Sequence, residues 1–267
     1  MNEILISISS MVGLGVFFAV ILAIADKTMG VKEDKRIADI EGILPGLNCG
    51  ACGYAGCYLF AIALSKGDAE VTGCLPGGED TSTKLAELLG LEKAGRVKSV
   101  AVLHCNADFD RRKRYADYKG IMTCEAANKI FGAGLACDYG CLGYGDCVRV
   151  CPFGAITMAN GLPIVDSTKC TACGKCVKAC PRGLYSIEKF IKDEITTVAC
   201  SSLDKGAVVK EVCGVGCTAC KVCEKLSKGV FEVKDNLARV HYDKVEPDTD
   251  WDKMIKKCPT KVIVKIT

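Results

Sequence analysis

Histidine is nearly absent from this 267-residue chain, which has only His104 and His241. That argues against imidazole-based metal sites, which draw ring nitrogens from several positions. Aromatic residues are few, at 6% with a single Trp. Gly132-Ala133-Gly134 is a lone G-x-G, without the strand, loop and helix pattern that cradles a phosphate. No flavin, hydride-transfer or hydrolase constellation occurs either. Charge is missing from residues 4–25, and cysteine from residues 224–257.

Cysteine is what the chain has in abundance: twenty residues, about 7%, close to the level of cysteine-scaffold proteins. Disulfide scaffolds of that density are typically short and secreted, which does not describe this chain. With two histidines, whatever the cysteines bind they bind almost alone. The formal charge is +3. A [4Fe–4S] core of +2 on four thiolates adds two negative charges, so five such sites would take the chain to about −7. Nothing in that balance suggests a nucleic-acid partner.

The uncharged run from Ile4 to Ala25 is roughly 33 Å long as a helix, enough for a hydrocarbon core of about 30 Å. Ala23-Ile24-Ala25 imitates a signal-peptide cleavage site. The Met-Asn-Glu start has no basic region, however, and the run exceeds an ordinary signal core, so a membrane anchor is expected. Lys27, Lys32, Lys35 and Arg36 follow the run, and the positive-inside rule places residues 27–267 on the cytoplasmic side of the cell membrane. That compartment keeps thiols reduced. Ser7, Ser10, Gly13 and Gly15 are small enough for another membrane helix to approach, or simply tolerated in an anchor.

The cysteines fall into groups. Cys49, Cys52 and Cys57 lie within nine residues, separated by Gly50, Gly53 and Gly56, and Cys74 follows before Leu75-Pro76. Glycines there let the backbone curl around an inorganic core and aim N–H groups at it. Residues 170–181, CTACGKCVKACP, are the C-x2-C-x2-C-x3-C-P run of bacterial ferredoxins, in which the fourth cysteine serves the other cluster. A lengthened partner run occupies 137–152. Crossing the two runs assigns Cys137, Cys141, Cys147 and Cys180 to one cluster, and Cys151, Cys170, Cys173 and Cys176 to the other. Each run leads into a strand-like stretch, 154–158 and 183–187, predicting two β-ribbons over the clusters.

Laid on residues 170–187, the segment 217–233 keeps three cysteines and has Ser227 at the position of Cys180. Cys258-Pro259 restores a terminal ligand, so Cys217, Cys220, Cys223 and Cys258 are expected to hold one cluster. Cys105, Cys124, Cys200 and Cys213 remain. Three of them end β-rich runs, VKSVAVLHC, EITTVAC and AVVKEVC, which read as strands of one small sheet. A fifth cluster on these four is the expectation; the competing reading is four small buried apolar residues.

Zinc is the chemical alternative, because four-cysteine sites also hold structural zinc, but the ferredoxin spacing favours iron–sulfur. His104 and His241 read as ordinary residues. Arg111-Arg112-Lys113-Arg114 reads as a solvated basic loop, or as a docking patch for an acidic redox partner. Tyr54, Tyr139, Phe153 and Phe190 read as shields of clusters from water.

The order of anchor, CGACGYAGC module, ferredoxin pair and cysteine-rich tail resembles the B subunit of the Rnf complex, the ion-translocating ferredoxin:NAD oxidoreductase. The resemblance covers nearly the whole chain, with CGACGYAGC and GCLGYGDCVRVCPFGAI as its most specific parts. The first motif also occurs in corrinoid iron–sulfur proteins; in combination with the anchor and the ferredoxin pair it points to the Rnf family. The resemblance implies a redox subunit that takes electrons from reduced soluble ferredoxin and passes them to partner subunits carrying flavin, further Fe–S centres and the NAD site. Those subunits would couple the flow to Na⁺ or H⁺ export. Relatives ending in a second full ferredoxin pair would carry a larger inventory. Here Ser227 and the cysteine-free 224–257 segment imply one terminal cluster and five [4Fe–4S] clusters in total. A membrane polyferredoxin serving a hydrogenase or another dehydrogenase is the rival redox reading, and a membrane-tethered multi-zinc scaffold the binding-class one.

The expected fold is α+β. A transmembrane anchor (1–27) precedes a 4Fe–4S module (28–95). A small β-containing cluster region (96–133 with 191–213) receives a two-cluster ferredoxin (134–190) as an insertion. A one-cluster ferredoxin-like unit (214–267) ends the chain.

Overall fold

The computed structural model describes residues 2–29, 34–91, 98–190, 194–246 and 249–266. Lys32, the boundary expected near residue 95, and residues 191–193 lie outside them. The architecture is mixed helix and strand, with short elements throughout.

Helix α1 (Asn2–Met29) carries the uncharged run. Its segment Ile6–Ala25 has a mean hydropathy of 2.5 and buries nothing against the rest of the protein. Among the described residues it is the one helix long and apolar enough to cross a membrane. Helix α2 (Lys35–Ile43) starts where the Asp34 carboxylate accepts the Arg36 N–H at 3.0 Å, a standard N-cap. It packs with α3 (Cys57–Lys66) and α4 (Gly78–Leu89). The core of this unit is Ile40, Phe60, Leu64, Leu85 and Ala86 with Cys74 at its edge. Gly67 and Gly90 end α3 and α4 in the left-handed conformation that glycine takes without steric cost.

Strand β1 (Ser99–Leu103) follows, then α5 (Cys124–Lys129), α6 (Asp146–Arg149), the hairpin strands β2 (Ile156–Ala159) and β3 (Leu162–Val165), α7 (Lys175–Ala179) and β4 (Tyr185–Lys189). Next come β5 (Ile195–Val198), α8 (Gly206–Val212), α9 (Val222–Leu226), the hairpin strands β6 (Phe231–Lys234) and β7 (Leu237–Val240), α10 (Trp251–Lys257) and β8 (Ile263–Ile266). Among the described residues the strands form four two-stranded antiparallel sheets: β1–β4, β2–β3, β5–β8 and β6–β7.

These pairings replace the single small sheet expected from the three β-rich runs. VKSVAVLHC supplies β1, which pairs with β4 of the ferredoxin runs, Ala101 opposite Ile187. EITTVAC supplies β5, which pairs with β8 near the end of the chain, Thr197 opposite Val264. AVVKEVC is helix α8, because tertiary packing of Val209 and Val212 overrides the strand preference of a β-branched run.

The topology therefore repeats. A strand, a cysteine run with a short helix, a hairpin, a second short helix, Cys-Pro and a closing strand occur over 99–189 and again over 195–266. Ser227 precedes the β6–β7 hairpin as Cys151 precedes β2–β3. The topology thus makes Ser227 the counterpart of Cys151 instead of Cys180. Its buried hydroxyl accepts the Phe231 N–H at 2.8 Å, a structural bond where the first repeat has a thiol.

Candidate functional site

None of the twenty cysteines is joined in a disulfide. In the first unit the glycine-rich turn and the start of α3 bring Cys49, Cys52 and Cys57 close to Cys74. Burial pushes the Cys74 thiol upward, and the Gly77 N–H pulls the other way. The Asn48 carboxamide oxygen accepts the Cys57 N–H at 2.8 Å and so holds the turn closed.

In the ferredoxin runs Cys176 lies beside Cys170 and Cys173, with Cys151 packed into the same core. The Ala101 N–H of β1 donates to the Cys170 sulfur at 3.4 Å. In the tail, Cys217, Cys220, Cys223 and Cys258 line one cavity of about 350 Å³, its mouth included, and Cys223 lies against the other three.

The remaining eight cysteines gather differently from the expected sets. One cavity, about 460 Å³ with its mouth, is lined by Cys105, Cys137, Cys200 and Cys213. A second, about 380 Å³, is lined by Cys124, Cys141, Cys147 and Cys180. Cys124 and Cys137 have exchanged places relative to the sequence-based expectation. The physical cause is the backbone of 111–114, which laces two cysteine-bearing segments together. Lys113 N–H donates to Val212 O at 2.9 Å, Gly214 N–H to Arg111 O at 2.8 Å, and Ala136 N–H to Lys113 O at 3.0 Å. Cys213 and Cys137 are thereby drawn to one side.

That segment is not a solvated basic loop throughout. Arg112 is 6% exposed; its guanidinium donates to the carbonyls of Cys141 and, at 3.1 Å, Gly161. It also stacks on Phe109, 4.6 Å from the ring centre. Arg182 donates to Cys137 O at 2.9 Å, Gly140 O at 2.7 Å and Asn128 Oδ1 at 3.0 Å. Burial lowers both guanidinium pKa values and the nearby sulfurs oppose that; an Arg remains charged even so. Two half-buried or buried cations thus stand where two anionic groups would lie.

The cysteine groups touch in sequence. Leu75 and Pro76, just past Cys74, share a cleft with Cys170 and Ala172. Cys176 neighbours Cys147. Cys141 N–H donates to the Cys105 sulfur at 3.5 Å, and Cys217 N–H to the Cys200 sulfur at 3.3 Å. These contacts link each group to the next.

The donor set fits [4Fe–4S] groups. Each of the three cavities is lined by four cysteines, the ligand number that a [4Fe–4S] group takes. Among the described residues no three His, Cys, Asp or Glu side chains converge on a single-ion site. A tetrahedral zinc site would need sulfurs about 3.8 Å apart, whereas a cubane seats each thiolate on its own iron and spreads them. Backbone N–H groups aim at the sulfurs, as at Cys180 from Leu184 (3.5 Å) and Cys200 from Ser202 (3.5 Å). Burial pushes the thiols up, Cys141 and Cys176 to about 12, Cys200 and Cys223 to about 11. Thiolates at these places are tenable only with a cationic core between them.

Three further contributors were not legible in the sequence. The buried Tyr185 hydroxyl has no ordinary hydrogen-bond partner and lies towards the Cys147 sulfur. Asp146 accepts the N–H groups of Cys124 (2.9 Å) and Glu125 (3.0 Å), which ties α5 to the ferredoxin runs. His104 bridges Val198 O (3.1 Å) and Ser186 Oγ (2.7 Å), joining the two repeats, while His241 meets Glu232 at 2.7 Å. Tyr54 packs on Phe60 and donates to Asp68 O at 3.2 Å; Phe190 is buried under Lys98.

Residues 44–76 match a family model described as "Putative Fe-S cluster", and residues 136–185 match one described as a 4Fe-4S dicluster domain. A relative from Methanosarcina acetivorans, the B subunit of an ion-translocating oxidoreductase complex, is 39% identical over 98% of this chain and 99% of its own length. The B subunit of the Na⁺-translocating ferredoxin:NAD⁺ oxidoreductase complex of Acetobacterium woodii is 37% identical, over 98% of this chain and 78% of its own. The proton-translocating counterpart from Clostridium ljungdahlii is 35% identical over 100% and 94%.

Proposed function

The chain belongs to the B-subunit family of ion-translocating oxidoreductase complexes, and from that membership we propose that it is the electron-relay subunit of a membrane-bound ferredoxin:NAD oxidoreductase. Reduced soluble ferredoxin is the donor, and the other subunits of the complex receive the electrons. The observation that supports the reading is the succession of neighbouring cysteine groups, with sulfur-to-backbone contacts of 3.3 and 3.5 Å at two of their junctions. When bound, each [4Fe–4S] group takes up and returns one electron between +2 and +1 cores.

The chain's own residues do the rest. Thiolates of Cys49, Cys52, Cys57 and Cys74 hold one group; Cys151, Cys170, Cys173 and Cys176 a second; Cys217, Cys220, Cys223 and Cys258 a third. The other eight cysteines hold two more. Backbone N–H groups, Arg112, Arg182 and Tyr185 lower the cost of added negative charge. No proton donor or nucleophile is required of the protein. Helix α1 anchors the chain, and Lys27, Lys35 and Arg36 beyond its apolar segment support a cytoplasmic position for residues 27–267. We divide the chain beyond α1 into the α2–α4 unit and two repeats, 99–189 and 195–266, in place of a separate 96–133/191–213 region; β1 pairing with β4 and β5 with β8 support this division.

Mixing the anaerobic full chain with reduced ferredoxin tests this. The EPR signals of the chain's reduced clusters are expected to appear as that of reduced ferredoxin is lost, and capture of the chain from solubilised membranes is expected to bring the flavin-bearing subunits with it. A chain that dithionite reduces and ferredoxin does not, or that co-purifies with a hydrogenase, would overturn the assignment.

A further inference from the structure

We propose that Cys105, Cys137, Cys200 and Cys213 hold one [4Fe–4S] cluster, and that Cys124 with Cys141, Cys147 and Cys180 holds its neighbour. The inference rests on the electron-relay reading and refines which thiols belong to which site. In the ordinary ferredoxin scheme the first cysteine of a run serves the same cluster as the next two; here Cys137 leaves that set and Cys124, from outside the run, enters it.

Four observations carry the exchange. Cys137 lines the cavity of Cys105, Cys200 and Cys213, and Cys124 lines that of Cys141, Cys147 and Cys180. Near neighbours agree: Cys137 lies by Cys105 and Cys213, and Cys147 by Cys124 and Cys180. The loop 137–141 divides the two cavities, and a guanidinium pins each of its ends. Arg112 holds the Cys141 carbonyl, and Arg182 holds those of Cys137 and Gly140. Finally, Asp146, adjacent in sequence to Cys147, accepts the Cys124 N–H and so holds Cys124 beside its new partner.

The spacing supplies the reason. Cys137 and Cys141 are separated by three residues and Cys141 and Cys147 by five, in place of the two and two of the compact run. The longer first step lets the chain turn a sulfur to either side of the divider. Loading each site forms four Fe–S bonds and releases four thiol protons. The cluster of Cys105, Cys137, Cys200 and Cys213 lies between the ferredoxin pair and the tail, where the Cys141 and Cys217 N–H groups reach its sulfurs.

Paired substitutions separate this partition from the alternative. In the anaerobic full chain, Cys137→Ala with Cys213→Ala is expected to lose about four irons, the same as either change alone, because both strike one cluster. Cys124→Ala with Cys213→Ala is expected to lose about eight. The reverse pattern overturns the partition while leaving the relay reading intact; a parent chain without iron overturns the relay reading itself. Serine variants guard against collapse of the fold, since an oxygen ligand retains the cluster and shifts its EPR signal. Cys137→Ser and Cys213→Ser are expected to shift one signal and Cys124→Ser another. A common signal for Cys124 and Cys213 would refute the partition.

Discussion

Complete removal of iron from the full chain is expected to abolish nearly all ordered structure beyond α1. The reason lies in the size of the parts. Among the described residues every sheet has two strands of four or five residues, and a lone hairpin of that size is marginal in water. Helices α5 to α10 have four to seven residues, well under the length at which a helix holds itself. Cysteines sit inside the cores of both repeats, Cys147 and Cys176 in one, Cys217 in the other. Structural metal sites supply on the order of 10 kcal/mol each, far more than these cores. Without iron, thiols are left lining the two cavities, and nothing repays the ordering of their loops. The α2–α4 unit, with its own apolar core, should keep the largest residue of helix. Circular dichroism in detergent is expected to reduce to a helical signal from α1 and part of α4. Native-like strand signal and protected amides in the iron-free chain would contradict this.

Arg112→Ala is expected to be the most damaging single change outside the cysteines. It removes a buried cation, strands the carbonyls of Cys141 and Gly161, and empties the space over Phe109. Breaking a buried charge interaction in this way costs about 3–5 kcal/mol. Two neighbouring anionic sites also lose their shared counter-charge, so whatever clusters remain should become harder to reduce by tens of millivolts, on the order expected for a nearby unit charge. Arg112→Lys keeps the charge without the planar fork and should restore the potential more fully than the stability. Redox titration followed by EPR, together with denaturant-induced loss of visible absorbance, checks both effects. An alanine variant with unchanged potentials and unchanged resistance to denaturant would refute the role.

The legible part of the molecule was whatever short-range spacing encodes. The uncharged run became one long apolar helix, and the compact runs at 49–57, 170–176 and 217–223 each bring their thiols together. What the sequence did not disclose depends on contacts between distant segments. Strand β1 finds its partner far along the chain, Ser99 opposite Lys189 and Leu103 opposite Tyr185, and no periodicity reveals such a choice. AVVKEVC looks like a strand because Val209 and Val212 are β-branched, yet both are needed on one helical face. Arg112 looks solvated among four consecutive cations, and only the lacing of 111–114 between Val212 and Ala136 turns it inward. The exchange of Cys124 and Cys137 has the same origin. Its one visible trace is the lengthened spacing of the 137–151 run, which departs from the compact motif at the place where the chain divides two cavities.

The most direct measurement is the iron and acid-labile sulfide content of the full chain, purified anaerobically in detergent. Five [4Fe–4S] sites predict about twenty irons and about twenty sulfides per chain. Zinc without sulfide, or a reproducible value near twelve irons for a fully reconstituted chain, would contradict the account.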